Sequence, residues 1–178
     1  MLRLTRYLGV GRAPGVPRYA LRVTTNEDPV ASRLLASGRE SRFGLMSERL
    51  EDGVALFGLT CPPEYEGGPG VAHGGWTAAA FDEILGHVAL LHGHFTVTAW
   101  LNVQYAKPVP VGLPLMARAR ADNVDGRKWF LSGELLLASS GATLATATGL
   151  WVERAHEAHF EAFNGWLSEQ GAATPAGD

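Results

Sequence analysis

Residues 76–91 read as a helix with almost no polar side: Ala78, Ala79, Ala80, Phe81, Ile84, Leu85, Val88, Ala89 and Leu90 are spread around its circumference. A helix of that kind is buried, so the rest of the chain has to cover it. Four strand patterns follow in succession, over 95–105, 115–122, 128–138 and 143–152. The first sets Phe95, Val97, Ala99, Leu101, Val103 and Tyr105 against Thr96, Thr98, Trp100, Asn102 and Gln104. The second sets Met116, Arg118, Arg120 and Asp122 against an alanine-rich face. Asp125-Gly126 is a two-residue hairpin signal, and Ser139-Ser140-Gly141 turns the chain again. An earlier strand over 53–60 is closed by Pro62-Pro63. One central helix wrapped by a curved antiparallel sheet satisfies both patterns, which places the chain in the α+β class.

The flanks carry weaker patterns. Residues 1–50 read as an N-terminal arm, rich in Gly, Pro and Arg as far as 27, with a short helix at 30–37. That helix starts at Asp28-Pro29 and stops at Gly38. Gly9, Gly11 and Gly15 do not make a nucleotide loop, because Pro14 and Pro17 interrupt them and no Gly-Lys-Ser/Thr follows. The stretch 64–70, EYEGGPG, reads as a loop too glycine-rich for a regular element. Residues 51–153 form the core domain; 154–178 hold an amphipathic helix, with Phe160, Phe163 and Leu167 on one side, and a disordered tail. No internal repeat or second domain is visible.

Several function classes fall away on composition. A net charge of -3 gives no electrostatic case for nucleic acid. The lone Cys61 allows neither an intrachain disulfide nor a cysteine-based metal cluster, and fits a reducing cytoplasm. No run of eighteen apolar residues is present, so no membrane span is expected. Arg3, Arg6, Arg12 and Arg18 lack the apolar block of a secretory signal and imitate a transit peptide only weakly.

The chemistry-bearing residues lie in and just before the apolar helix. Gly74 and Gly75, after His73, would let a substrate approach the backbone. The first N–H groups of a helix lack internal partners and sit at the positive end of its dipole, which suits an oxygen turning negative. The alternative is that the glycines only relieve crowding. Asp82 shares a stripe with Gly75, Ala78, Ala79, Leu85 and Ala89. A carboxylate buried there needs either a bonding partner or a function as general base or nucleophile. Glu83 is turned away by about 100°.

The run PEYEGGPGVAHGGWTAAAFDEILG, followed by TAWLNVQYAKPVP, resembles the PaaI-like branch of the hotdog-fold acyl-CoA thioesterases. The likeness extends over residues 50–152. It implies a helix wrapped by an antiparallel sheet, assembled as a homodimer or a dimer of dimers with active sites at the interface. It also implies an acyl- or aryl-CoA substrate; no ligand set for a metal is visible in the sequence, and no cofactor is expected. By the same resemblance, the Gly74 N–H polarises the thioester carbonyl and His73 shapes the turn. Asp82 activates water or attacks directly, and Thr98 orients the carboxylate or the water. Some members carry an Asn in the loop before His-Gly-Gly as a second carbonyl donor. The loop EGGPGVA has none, so either Gly74 acts with another donor, with His73 a candidate, or the carbonyl is held less firmly.

Further candidates complete the set. Trp76 either walls an acyl pocket or packs in the core. Asn102 stands next to Thr98 on the polar face of its strand, and Arg118, Arg120, Arg127 and Lys128 are candidates for coenzyme A phosphates. His87, His92 and His94 lack metal-ligand spacing and are expected to cap the helix end or fill the turn. Cys61 is expected to be a small apolar side chain. Three function classes remain: a thioesterase, a hotdog dehydratase or hydratase, and an acyl-CoA binder without turnover.

Overall fold

The computed structural model describes residues 43 and 45–172; residues 1–42 of the arm, which include the 30–37 helix, residue 44 and residues 173–178 of the tail lie outside the described residues. In chain order the strands are β1 (Leu45–Glu51), β2 (Val54–Thr60), β3 (Glu66–Gly68) and β4 (Val71–Ala72). Helix α1 (Gly74–Leu91) follows, then β5 (Thr96–Tyr105), β6 (Pro114–Asp125), β7 (Lys128–Leu137) and β8 (Thr143–Glu153). Helix α2 (His156–Glu169) comes last. Six strands form one sheet in the order β1-β2-β6-β7-β8-β5, with every neighbouring pair antiparallel. β1 and β5 are its edges.

Alternation along each strand turns one row of side chains toward α1. From β2 come Ala55, Phe57 and Leu59; from β6, Leu115, Ala117 and Ala119; from β8, Ala145, Ala147 and Trp151. They close over Trp76, Ala80, Phe81, Ile84, Leu85, Val88 and Ala89 of the helix. The alanines matter as much as the large residues, because they leave room for the helix to seat its own side chains. The expected helix on an antiparallel sheet is therefore what forms.

Helix α1 is not covered all round, however. Ala78, Ala79 and Gly86 are half-buried, and Asp82 is exposed. Among the described residues the sheet reaches only one side of the helix, and the opposite stripe is left open. Asp82 therefore does not carry the burial expected of it.

Strand β1 was not expected; the sheet begins at Leu45, inside what reads as the arm. The joining turn is Asp52-Gly53, with φ of 50° and 78°. Positive φ at both positions is what a type I′ hairpin requires. At the other Asp-Gly pair the turn is displaced by one residue. Asp125 pairs with Lys128, so Gly126-Arg127 forms the loop, and only Gly126 has a positive φ, 54°. That is the pattern of a type II′ turn, which needs glycine at its first central position.

The glycine-rich stretch 64–70 is also more ordered than expected. A 3-10 turn, Pro63–Tyr65, leads into the short antiparallel pair β3–β4, and Glu66 Oε1 accepts from the Gly70 N–H at 2.5 Å. A ladder uses only backbone groups, so glycine does not forbid it. Helix α2 forms where the amphipathic pattern placed it, but none of its residues is buried. Phe95 meets His156 at a ring distance of 4.8 Å and Phe160 at 6.3 Å. Among the described residues no helix is long and apolar enough to cross a membrane.

Candidate active site

The start of α1 is held from three sides. The His73 N–H donates to Tyr65 O at 2.7 Å, and the preceding Ala72 N–H to Val109 O at 2.8 Å. His73 is the N-cap, at φ -59° and ψ 136°, and its Nδ1 accepts from the Gly75 N–H at 2.9 Å. An imidazole nitrogen that accepts carries no proton, so the neutral ring bears its hydrogen on Nε2. The His73 carbonyl takes the Trp76 N–H at 2.9 Å and the Thr77 N–H at 3.4 Å. Three of the first four helical N–H groups are thereby used. The Gly74 N–H has no partner among the described residues. It is the donor left at the positive end of the helix.

The two glycines have different reasons to be there. A Cβ on Gly75 would stand 2.9 Å from His73 Nδ1 and push the capping ring away. A Cβ on Gly74 would meet only Tyr105, at an ordinary 3.6 Å. The Tyr105 hydroxyl donates to Gly74 O at 2.8 Å.

Two turns along the helix, Asp82 Oδ1 accepts a 2.6 Å hydrogen bond from the Thr98 hydroxyl. A break in the strand makes this contact possible. Thr98 pairs with Trp151 but Trp100 pairs with Leu150, so Ala99 is an extra residue, a β-bulge. The bulge reverses the alternation. Thr98 shares the helix side with Leu101, Val103 and Tyr105, whereas Trp100, Asn102 and Gln104 fall on the other side. The strict alternation expected over 95–105 therefore fails, and Asn102 is not beside Thr98.

The remaining candidates separate. Trp76 is 2% exposed and belongs to the core cluster, which favours the packing alternative. Arg118 and Arg120 alternate with buried Ala117 and Ala119, so they stand on the outer face of β6, away from Asp82. Arg118 pairs with Glu134 and Arg120 with Asp122, each at 2.9 Å. His92 caps the end of α1, and His94 Nδ1 lies 2.9 Å from Glu153 Oε1. Among the described residues no three His, Cys, Asp or Glu side chains converge as metal ligands. Burial, aided by the charge of Glu64, pushes the Cys61 thiol up to about 11, which keeps it protonated and inert. Tyr105 is the site-side residue that sequence reasoning passed over. Its sole signal was a place at the end of the strand that carries Thr98.

The model of the thioesterase superfamily matches residues 69–141, a span that holds His73, Gly74, Asp82, Thr98 and Tyr105. Acyl-coenzyme A thioesterase THEM4 of Bos taurus is 33% identical over 91 residues, 51% of this chain and 37% of that protein. The chain thus matches little more than a third of that relative's length. A crystal structure of a thioesterase superfamily protein is 34% identical, with a TM-score of 0.54, over 58% of this chain and 50% of that one. The PaaI protein of E. coli, from the phenylacetic acid degradation operon, is 18% identical and superposes with a TM-score of 0.55. That likeness covers 62% of this chain and 78% of PaaI. The architecture is that of the hotdog fold, and residues 69–141 are similar in sequence to the thioesterase superfamily.

Proposed function

We propose that this hotdog-fold chain is a thioesterase that hydrolyses an acyl- or aryl-CoA thioester to the free acid and coenzyme A, in an active site shared between two copies of the chain. The observation that carries the proposal is Asp82, fixed by Thr98 yet exposed on the open side of an otherwise core helix. A carboxylate is rarely placed among Ala78, Ala79 and Gly86 for packing. The names of similar proteins, acyl-coenzyme A thioesterase among them, support the reaction class.

The chemistry follows from the groups present. Thioester hydrolysis raises negative charge on the carbonyl oxygen, and the unpartnered Gly74 N–H at the helix start is aimed to meet such charge. His73, with its free hydrogen on Nε2, is the available second donor in place of the absent Asn. Thr98 occupies Oδ1 of Asp82, leaving the other oxygen to take a proton from water or to attack the carbonyl carbon. Hydrolysis of this kind calls for water alone, so no metal or cofactor enters the scheme.

One chain does not supply both groups to one carbonyl. Gly74 and Asp82 are eight residues apart on α1, about 12 Å along its axis. The reacting atoms need both within roughly 3–4 Å. A two-fold pair of antiparallel helices would bring Gly74 of one protomer to Asp82 of the other, twice over. The half-covered stripe of α1 and the outer edge of β5, which pairs with no strand among the described residues, are the surfaces available for that pairing.

A panel of acyl- and aryl-CoA thioesters with a thiol-detecting reagent tests the proposal. Release of free coenzyme A that is lost in Asp82→Asn supports it. Water addition to an enoyl-CoA, or binding without turnover, overturns it.

A further inference from the structure

We infer that Tyr105 is a positioning residue for the Gly74 donor, acting through its hydroxyl on the Gly74 carbonyl. The inference rests on the thioesterase reading above and adds to it. Tyr105 is 54% exposed, more than a residue retained for core packing would be. Its hydroxyl nevertheless reaches Gly74 O at 2.8 Å, and a Cβ on Gly74 would stand 3.6 Å from the hydroxyl oxygen and 3.7 Å from two ring carbons. The hydroxyl therefore holds the Gly74 carbonyl, and the ring lies beside the bare Cα.

That residue is where fixing matters. Glycine at a helix start has wide backbone freedom, and its N–H has no partner to restrain it. The peptide that carries the Gly74 N–H is held on its other side, where His73 O accepts from the Trp76 and Thr77 N–H groups. The next peptide is held through its N–H by the His73 ring and through its carbonyl, Gly74 O, by Tyr105, so Tyr105 fixes the second of the two peptides that set Gly74. A donor that wanders loses much of its value, since preorganisation is what makes an oxyanion contact effective. α1 and β5 run antiparallel, so the strand that aligns Asp82 through Thr98 aligns Gly74 through its last residue.

The test uses Tyr105→Phe in the full chain, which keeps the ring and removes the hydroxyl. Its kcat on the best thioester of the panel should fall roughly tenfold, with KM changed less than about twofold. Melting temperature should stay within about 2 °C of the unaltered chain, because the bond removed is solvent-exposed. A spectroscopic readout separates positioning from general damage. The same thioester, labelled with ¹³C at its carbonyl, is bound to Asp82→Asn and to Asp82→Asn/Tyr105→Phe, and the carbonyl infrared band is recorded. Positioning predicts a smaller shift to low frequency in the double variant. If Asp82→Asn abolishes turnover while Tyr105→Phe leaves kcat and the band unchanged, the inference is wrong and the thioesterase reading stands. If Asp82→Asn turns over normally, the reading falls and the inference falls with it.

Discussion

The Thr98 hydroxyl donates a 2.6 Å hydrogen bond to Asp82 Oδ1, joining edge strand β5 to the middle of the core helix. The bond leaves one carboxylate oxygen for chemistry and sets its direction. Asp82→Asn keeps the volume and keeps an acceptor for Thr98, but removes the carboxylate proposed as base or nucleophile. Turnover should fall roughly 10²–10⁴-fold if Asp82 is a general base, with thioester binding and melting temperature largely retained. Steady-state kinetics beside a binding titration checks this, and near-normal hydrolysis would sink the assignment.

Thr98→Ala and Asn102→Ala separate the two sides of β5. The bulge at Ala99 puts Thr98 on the helix side and Asn102 on the other. Thr98→Ala should lower kcat by about tenfold, less than Asp82→Asn, because a positioning hydroxyl supplies only part of the alignment. Asn102→Ala should leave kcat on the acyl-CoA panel within about twofold. Equal losses from both would contradict the placement described for β5.

Patterns that depend on periodicity were legible in the sequence, and features that depend on one residue's backbone were not. The helix at Gly74–Leu91 and the four strands after it followed from spacing alone. The Ala99 bulge leaves no mark in a run of alternating residues, so the pattern groups Thr98 with Asn102, whereas Thr98 lies on the helix side and Asn102 stays on the outer face. β1 could have been found, since Asp52-Gly53 is as strong a hairpin signal as Asp125-Gly126. The exposure of Asp82 was out of reach for a different reason. An apolar helix shows that something covers it, but not whether one chain supplies all the cover.

Cys61 should make stability fall at alkaline pH. Burial first, and Glu64 second, raise its thiol from 9.0 to about 11 in the folded chain. Folding therefore favours the neutral thiol. The group's contribution is fully present below about pH 9 and is lost as pH rises toward 11. Urea unfolding at pH 8, 9, 10 and 11 should show a steeper decline for the unaltered chain than for Cys61→Ala. Parallel declines would mean that the thiol is not held neutral by the fold.

Gly75→Ala should loosen the start of α1. The new Cβ would stand 2.9 Å from His73 Nδ1, so the ring must leave and the Gly75 N–H loses its acceptor. Loss of an N-cap costs about 1 kcal/mol, and the Gly74 donor should drift with it. Both melting temperature and kcat should drop, the latter by about tenfold or more. Hydrogen exchange confined to the first turn of α1 should quicken. Unchanged exchange there would show that the cap does not depend on a bare Cα at 75.

The shared site can be tested with a substitution that removes the Gly74 N–H while leaving the helix start able to form. Gly74 is the first residue of α1, where proline is tolerated because its missing N–H has no helical partner in any case. His73, at φ -59° and ψ 136°, already has the extended backbone that a residue before proline adopts. Space is available too, since the nearest atom to a Cβ at 74 is Tyr105 Oη at 3.6 Å. Gly74→Pro should thus fold normally and lose roughly 10²–10³-fold in kcat, the usual effect of removing an oxyanion donor. Refolding it in equal amounts with Asp82→Asn then distinguishes the models. If Gly74 of one protomer serves Asp82 of the other, a mixed dimer carries one intact site and one doubly damaged site. Random pairing makes half of the dimers mixed, so about a quarter of the unaltered activity should return. If each site is built within one chain, every site in the mixture holds one lesion and activity stays at the level of the parents. A dead mixture in which mass spectrometry detects the mixed dimer would therefore refute the shared site while leaving Gly74 and Asp82 as separate candidates.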